Sequence, residues 1–243
     1  MGGYSIILAV AAFTTFALTP LVRRFAIRVH AVVRPDPRKV HERPTPTLGG
    51  LAMLGGLVAA MAVASQMDQF DAMFSGTGEP WGVVLGGLVM VAVGMVDDLR
   101  EVSPPGKLAG QALSASLLAA MGVTMFHFRI PFLGIFVMPP DLAPLVTVLW
   151  VVLMANAVNL TDGLDGLAAG IVLAAGAAFF LYSDRLFDEG LLPGSNMGPL
   201  VSIVAVGVCL GFLPHNFHPA RIFMGVAGAL LLGLLMASTT IVV

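Results

Sequence analysis

The chain has 243 residues, of which 58% are hydrophobic and 11% charged, with a mean hydropathy of +0.94 and a net charge of −2. A water-soluble fold is excluded: such folds carry roughly 25% charged residues and need a polar exterior, a need that lipid removes. The single cysteine, Cys209, lies in an apolar run, which rules out an intrachain disulfide and reads as a small buried hydrophobe rather than a thiolate metal ligand.

Eight apolar segments follow one another at 4–22, 48–66, 81–96, 108–126, 142–158, 166–183, 197–213 and 226–243. They are too long and too uniformly apolar for barrel strands, which alternate, so backbone hydrogen bonding in lipid predicts helices. The fold class is all-α: a polytopic transmembrane helical bundle of about eight spans, forming one membrane domain over 1–243. The third and fifth segments look short for a perpendicular span. The first is followed by a basic cluster rather than a small-residue cleavage site, so it is expected to stay as an anchor.

With the amino terminus outside, the inner loops are 23–47, 97–107, 159–165 and 214–225. They hold Arg23, Arg24, Arg28, Arg34, Arg38, Lys39, Arg43, Arg100, Lys107 and Arg221, ten of the twelve basic residues. That asymmetry is the positive-inside pattern. The outer stretch His127–Asp141, rich in proline, phenylalanine and valine, is either a hairpin or a re-entrant segment.

Four polar motifs fall on the inner side. In the first, Val40 to Gly50, two prolines fix an extended turn before a helix start. Its Gly49 and Gly50 allow close approach to the backbone, and the basic residues before it suit anionic head groups. Read alone, it is equally a basic loop that only sets topology. The second places Asp97 and Asp98 at the inner end of a span, with Lys107 shortly after. Paired carboxylates there suit a hard cation that clamps phosphate oxygens, or a base toward an attacking group; a solvated helix end paired with Arg100 is the plainer reading. In the third, Asn159, Asp162 and Asp165 recur every three residues in a loop without a basic residue. Such carboxylates repel one another unless a cation or a donor-rich ligand lies between them. The fourth, Leu213 to Gly225, carries His215, Asn216, His218 and Arg221. An arginine and an amide suit phosphate or nucleotide, whereas two histidines without a third ligand do not make a zinc site.

HERPTPTLGG, DDLREVSPPGKLAGQ, NAVNLTDGLDGLAAG and FLPHNFHPARIFMG, in that order along the chain, resemble the polyprenyl-phosphate N-acetylhexosamine-1-phosphate transferases of glycosyltransferase family 4. The first stretch is closer to the branch using UDP-N-acetylglucosamine than to the muramoyl-pentapeptide branch. The resemblance implies an enzyme of the bacterial cytoplasmic membrane with its site on the cytoplasmic face. There the phosphate of polyprenyl (undecaprenyl) phosphate attacks the β-phosphorus of a UDP-sugar and UMP leaves, for cell-wall or surface polysaccharide synthesis. It implies Mg²⁺, with Mn²⁺ as the alternative, and a homodimer; nucleic acid is not an expected partner. Carried over residue by residue, Asp97, Asp98, Asp162 and Asp165 take catalytic roles, with Asp98, Asp162 and Asp165 at the metal. Lys107, Asn159, Asn216, Arg221, Thr45 and Gly49 take substrate-binding roles.

Two departures bear on activity. After PARIFMG the family continues with an acid, a small residue, glycine and serine, whereas this chain has Val226, Ala227, Gly228 and Ala229. A valine cannot coordinate a metal, so weakened metal binding is expected. The chain is also expected to lack the family's carboxy-terminal spans and histidine-rich loop. An impaired paralogue or fragment that binds lipid phosphate or UDP-sugar is therefore the second reading. An ion-coupled transporter fits less well, because its acids would sit near the bilayer midplane.

Overall fold

The computed structural model describes residues 2–33, 44–130 and 134–243. Arg34, Arg38, Lys39, His41, Glu42 and Arg43 of the first basic motif lie outside them. The described chain is a helical bundle with two small antiparallel ribbons. In order it runs α1 (Gly2–Arg28), β1 (Val32–Val33), β2 (Thr45–Pro46), α2 (Gly50–Ala64), α3 (Asp71–Gly76) and α4 (Glu79–Arg100). It continues through α5 (Pro104–Ala120), β3 (His127–Ile130), β4 (Gly134–Val137), α6 (Ala143–Thr161), α7 (Leu167–Asp188), α8 (Gly198–Asn216) and α9 (Gly225–Val242).

All these helices except the short α3 coincide with the eight apolar segments. Six of them, α1, α4, α6, α7, α8 and α9, are long and apolar enough to cross a membrane, and a seventh span results if α2 and α3 are counted as one bent pair. The lengths correct the expectation about which segments are short. The third segment becomes the 22-residue α4, because the helix continues through Asp97 and Asp98 to Arg100. The fifth becomes the 19-residue α6 by running on to Thr161. The short helices are instead α2, with 15 residues, and α5, with 17. After α2 the chain bends by 94° into α3, and after α5 Gly122 takes a left-handed φ of 111° that helix cannot continue through.

Helix starts follow from proline. Pro80, Pro104, Pro144 and Pro199 sit in the first turns of α4, α5, α6 and α8, where their fixed φ suits a helix and the missing N–H has no intrahelical partner to lose. The centre of the bundle is the pair α8 and α9, whose residues are mostly buried. Around them, α1 and α6 keep large apolar side chains exposed, as lipid-facing helices do: Phe13, Leu21, Leu145, Leu149 and Leu153.

Small residues let the central helices close up. A Cβ on Gly94 of α4 would collide with the Ala227 backbone of α9, and one on Gly50 of α2 would collide with the backbone nitrogen of Gly228. Between α5 and α6 the contact is polar: Asn156 Nδ2 donates to Gln111 Oε1 at 2.6 Å, deep enough that Gln111 is wholly buried. Cys209 is free and fully buried, as its apolar surroundings suggested.

The α4–α9 crossing is directly testable. Gly94→Leu forces side-chain atoms into the backbone of α9 and is expected to destabilise the protein by about 1–3 kcal/mol. Its thermal midpoint in detergent should fall well below that of Gly170→Ala, where a Cβ meets nothing within 4 Å. Equal midpoints would mean that the crossing is not held at this distance.

Candidate functional site

The polar loops meet at one end of the bundle. The carboxy-terminal ends of α1, α4, α6 and α8 and the amino-terminal ends of α2, α5, α7 and α9 all arrive there. Hydrogen bonds tie them across the sequence. Arg23 Nε, near the end of α1, donates to the Arg221 carbonyl at 3.0 Å. The side chain of Asn216, 1% exposed at the end of α8, accepts the Gly166 N–H through Oδ1 at 3.1 Å and donates through Nδ2 to the Ile222 carbonyl at 3.0 Å. That one amide joins the start of α7 to the loop that leads into α9.

A cleft of about 400 Å³ opens here, between the end of α4, the α6–α7 loop and the start of α9. Asp98, Asp162, Asp165, His218 and Thr47 supply its polar wall, and Val33, Leu164, Phe223 and Val226 its apolar wall. Three of the four sequence motifs thus contribute side chains from distant positions, and Thr47 brings in the fourth.

Asp98 is held by helix α9. Helix α9 has no side-chain cap of its own. The Asp98 carboxylate, from the last turn of α4, supplies one in its place: Oδ1 accepts the Val226 N–H at 2.9 Å and Oδ2 the Ala227 N–H at 3.3 Å. An anion at a helix amino terminus meets both the free N–H groups and the positive end of the helix dipole. Gly225 makes room for it. Its φ is 71°, and a Cβ there would collide with both Asp98 Oδ2 and Thr47 Oγ1.

Asp165 is held from the α8–α9 loop. Its Oδ2 accepts the Ala220 N–H at 3.0 Å and lies 2.9 Å from His218 Nδ1. Asp162, at the end of α6, has no hydrogen-bonded side-chain partner among the described residues. Burial, and then the Asp98 carboxylate across the cleft, push its carboxyl up to about 7.

A family model described as glycosyl transferase family 4 matches residues 80–243. The chain belongs to glycosyl transferase family 4. Over 236 residues it is 44% identical to the decaprenyl-phosphate N-acetylglucosaminephosphotransferase of Mycolicibacterium smegmatis, an alignment that covers 95% of this chain and 58% of that protein. It is 36% identical to the probable undecaprenyl-phosphate N-acetylglucosaminyl 1-phosphate transferase of Bacillus subtilis, covering 92% of this chain and 58% of that one. To the phospho-N-acetylmuramoyl-pentapeptide-transferase of Desulforudis audaxviator it is 38% identical, covering 88% and 67%. The chain thus spans about 58% of the length of the first of these relatives.

Within this family 4 chain the residues singled out from the sequence divide into two groups. Asp98, Asp162 and Asp165 reach the cleft. The others do not line it. Asp97 spends both oxygens locally, on Lys107 Nζ at 2.7 Å and on the Val102 N–H at 3.0 Å, so it locks the α4–α5 turn. Lys107 is correspondingly taken up by Asp97. Asn159 gives its backbone carbonyl to the Asp162 N–H at the end of α6. Asn216 is a buried clamp, and Arg221, exposed, makes its two hydrogen bonds here through its backbone. Gly49 is a packing position whose Cβ would meet the Phe212 ring at 2.6 Å, and Thr45 is paired in the β1–β2 ribbon with Val33.

Thr47, His218 and the apolar wall line the cleft without being among the residues expected from the sequence. Thr47 and His218 lie inside the first and fourth motifs, where residue type alone does not distinguish Thr47 from Thr45 or give His218 a role. Val33, Leu164 and Phe223 carry no chemical signature a sequence could show.

Asp98, Asp162 and Asp165 share the cleft, but among the described residues no three His, Cys, Asp or Glu side chains converge closely enough to hold an ion by themselves. The donor set still fits Mg²⁺ or Mn²⁺. Mg²⁺ characteristically takes one or two carboxylates and completes its shell with water and substrate phosphate. Asp98 and Asp162 are such a pair, near enough for one charge to act on the other.

The elevated Asp162 value gives a pH prediction. A carboxyl raised in the folded state favours the neutral form, so its contribution to stability is full at about pH 4 and is lost as pH rises through about 7. In metal-free buffer the unfolding midpoint should therefore fall between about pH 5 and about pH 8, and Asp162→Asn should flatten that fall. An unchanged slope in the variant would place the titration elsewhere.

Proposed function

We propose that the protein transfers N-acetylhexosamine-1-phosphate, most simply N-acetylglucosamine-1-phosphate, from a UDP-sugar to a polyprenyl phosphate, releasing UMP. The observation that carries this reading is the amphipathic cleft at the loop end of the bundle, within a family 4 chain. The relatives named for N-acetylglucosamine share 36–44% identity with it, against 31–38% for those named for the muramoyl-pentapeptide. The site lies on the cytoplasmic face of a bacterial membrane in this reading. Arg23, Arg24, Arg28, Arg100, Lys107 and Arg221 all belong to the cleft end, as the positive-inside pattern requires.

The reaction forms a bond between a lipid phosphate oxygen and the β-phosphorus of the UDP-sugar and breaks the bond from that phosphorus to the oxygen that leaves with UMP. Such transfers need positioning and charge stabilisation more than covalent help. The lipid phosphate enters from the bilayer and the nucleotide from water, and a cleft at the membrane face is open to both. The apolar wall of Val33, Leu164, Phe223 and Val226 suits the uncharged parts of the substrates. The polar wall is acidic, and Lys107 is engaged by Asp97, so two phosphorylated substrates would be repelled. A divalent cation held by Asp98 and Asp162 would offset that repulsion and stabilise the charge on the transferring phosphoryl group. Asp98 is preset for this by the two N–H groups of α9. Asp165, fixed by Ala220 and His218, keeps the α6–α7 loop against the α8–α9 loop.

Position 226 limits the activity in this reading. Val226 lines the cleft beside Asp98, where its side chain offers no oxygen. A two-carboxylate site holds a cation less tightly, so turnover is slow, or the protein retains binding of lipid phosphate or UDP-sugar without turnover.

Membranes containing the protein, supplied with labelled UDP-N-acetylglucosamine, polyprenyl phosphate and Mg²⁺, test both parts. The double variant Val226→Asp, Ala229→Ser is expected to form lipid-linked sugar and UMP at least about tenfold faster than the unaltered chain, a factor worth about 1.4 kcal/mol in the barrier. Equal rates would show that the acid at 226 is dispensable. Absence of product and of nucleotide or lipid-phosphate binding in both would count against the transferase reading itself.

A further inference from the structure

At the end of the bundle opposite the cleft, β3 and β4 form an antiparallel ribbon, with His127 opposite Val137 and Phe128 opposite Phe136. The two phenylalanine rings meet at 5.5 Å on one face. Ile135 and Val137, one residue to either side of Phe136, belong to the other, opposite Arg129 and His127 in the register. Among the described residues both faces stay substantially exposed: Ile135 and Val137 are 69% and 71% exposed, and Phe136 is 49% exposed. Beyond its own pairing, the ribbon has no extensive packing against any helix among the described residues.

Such a ribbon is poorly stable in water. A lone two-stranded hairpin is marginal there and needs a packed face, and a cluster of exposed apolar side chains of this kind marks a contact surface. Its height in the bundle indicates what supplies the contact. At its root the Met125 N–H donates to Thr147 Oγ1 at 2.9 Å, four residues inside α6, about 6 Å along that helix. The ribbon therefore leaves the bundle within the first turns of a membrane-crossing helix rather than beyond its end. At that level α6 exposes Leu145 and Leu149, with Leu142 just before it, and Phe126 is exposed at the root of the ribbon, so ribbon and α6 both expose apolar side chains near the same height.

We propose that the β3–β4 ribbon is a membrane-interface anchor, seated among the lipid head groups and the first acyl carbons on the side opposite the cleft. Aromatic and branched apolar side chains are favoured at that depth. The ribbon fixes the depth and tilt of α5 and α6, the helices that carry Lys107 and the Asn159-to-Asp162 motif to the other face.

The sole native cysteine is fully buried, so introduced cysteines can be labelled singly. The full chain carrying Ile135→Cys or Val137→Cys is labelled with an environment-sensitive fluorophore and reconstituted into phosphatidylethanolamine–phosphatidylglycerol vesicles. Some vesicles contain lipids with a spin label at the head group or high on the acyl chain. Ser195→Cys, in the exposed α7–α8 loop, is the aqueous control, and Leu149→Cys on α6 the lipid control. Blue-shifted emission and at least about twofold stronger quenching at 135 and 137 than at 195 are expected, with shallow labels quenching best. Water-like, unquenched emission at 135 and 137, with quenching at 149 intact, would overturn the proposal. So would disulfide cross-linking between copies at 135 with insensitivity to spin-labelled lipid, which would make the ribbon a protein interface instead.

Discussion

The carboxylate of Asp98 carries more of this architecture than any other single group. It reaches from the last turn of α4 to the bare amino terminus of α9 and accepts the N–H groups of Val226 and Ala227. The first N–H groups of α9 have no intrahelical partner, and its own sequence brings no capping side chain. A cap of this kind stabilises by about 0.5–2 kcal/mol, and the charge adds to it through the helix dipole. The contact exists only because Gly225 has no Cβ and adopts a left-handed φ, and because Gly94 lets α4 lie against α9.

That constraint places a negative charge where the cleft needs one and sets the conditions for its neighbours. With Asp98 fixed, Asp162 faces it without a hydrogen-bonded side-chain partner among the described residues and is driven toward the neutral form. Asp165 is drawn aside by His218 and Ala220. The three carboxylates therefore have three different settings in one cleft: one caps a helix, one has no hydrogen-bonded side-chain partner among the described residues, and one holds two loops together. Val226 enters this arrangement through its backbone, as the donor to Asp98, while its side chain adds to the apolar wall. Its N–H serves the cap whatever the side chain, so the fold of the site does not depend on which side chain stands at 226.

The residues that do not line the cleft show why a motif is more than its reactive groups. Asp97 and Lys107 close the α4–α5 turn, Asn216 joins α7 to the α8–α9 loop, and Arg23 ties α1 to that same loop. Each satisfies backbone or charge that would otherwise be costly to leave unpaired near the bilayer. Together they close the α4–α5 turn and fasten α1 and the start of α7 to the α8–α9 loop.

The sequence by itself determined the bundle. Its apolar runs can satisfy their backbone in lipid only as helices, and its basic residues collect at the loops of one end. It also pointed to the acidic motifs, because uncompensated carboxylates in a short loop are costly without a ligand. Element ends were less legible: α4 and α6 outrun their apolar cores, since a helix near the interface continues through polar residues as readily as apolar ones, while α2 and α5 stop early at a bend and at Gly122. Only the tertiary structure separated Asp98 from Asp97, adjacent in sequence but turned toward α9 and Lys107 respectively. It also showed Thr47 rather than Thr45 in the cleft and gave Asn216 its role as a clamp. The physical reason is the same in each case: helical periodicity and composition constrain which residues are polar and near an end, whereas the partner of each polar atom depends on which helix termini the packing brings within hydrogen-bonding distance.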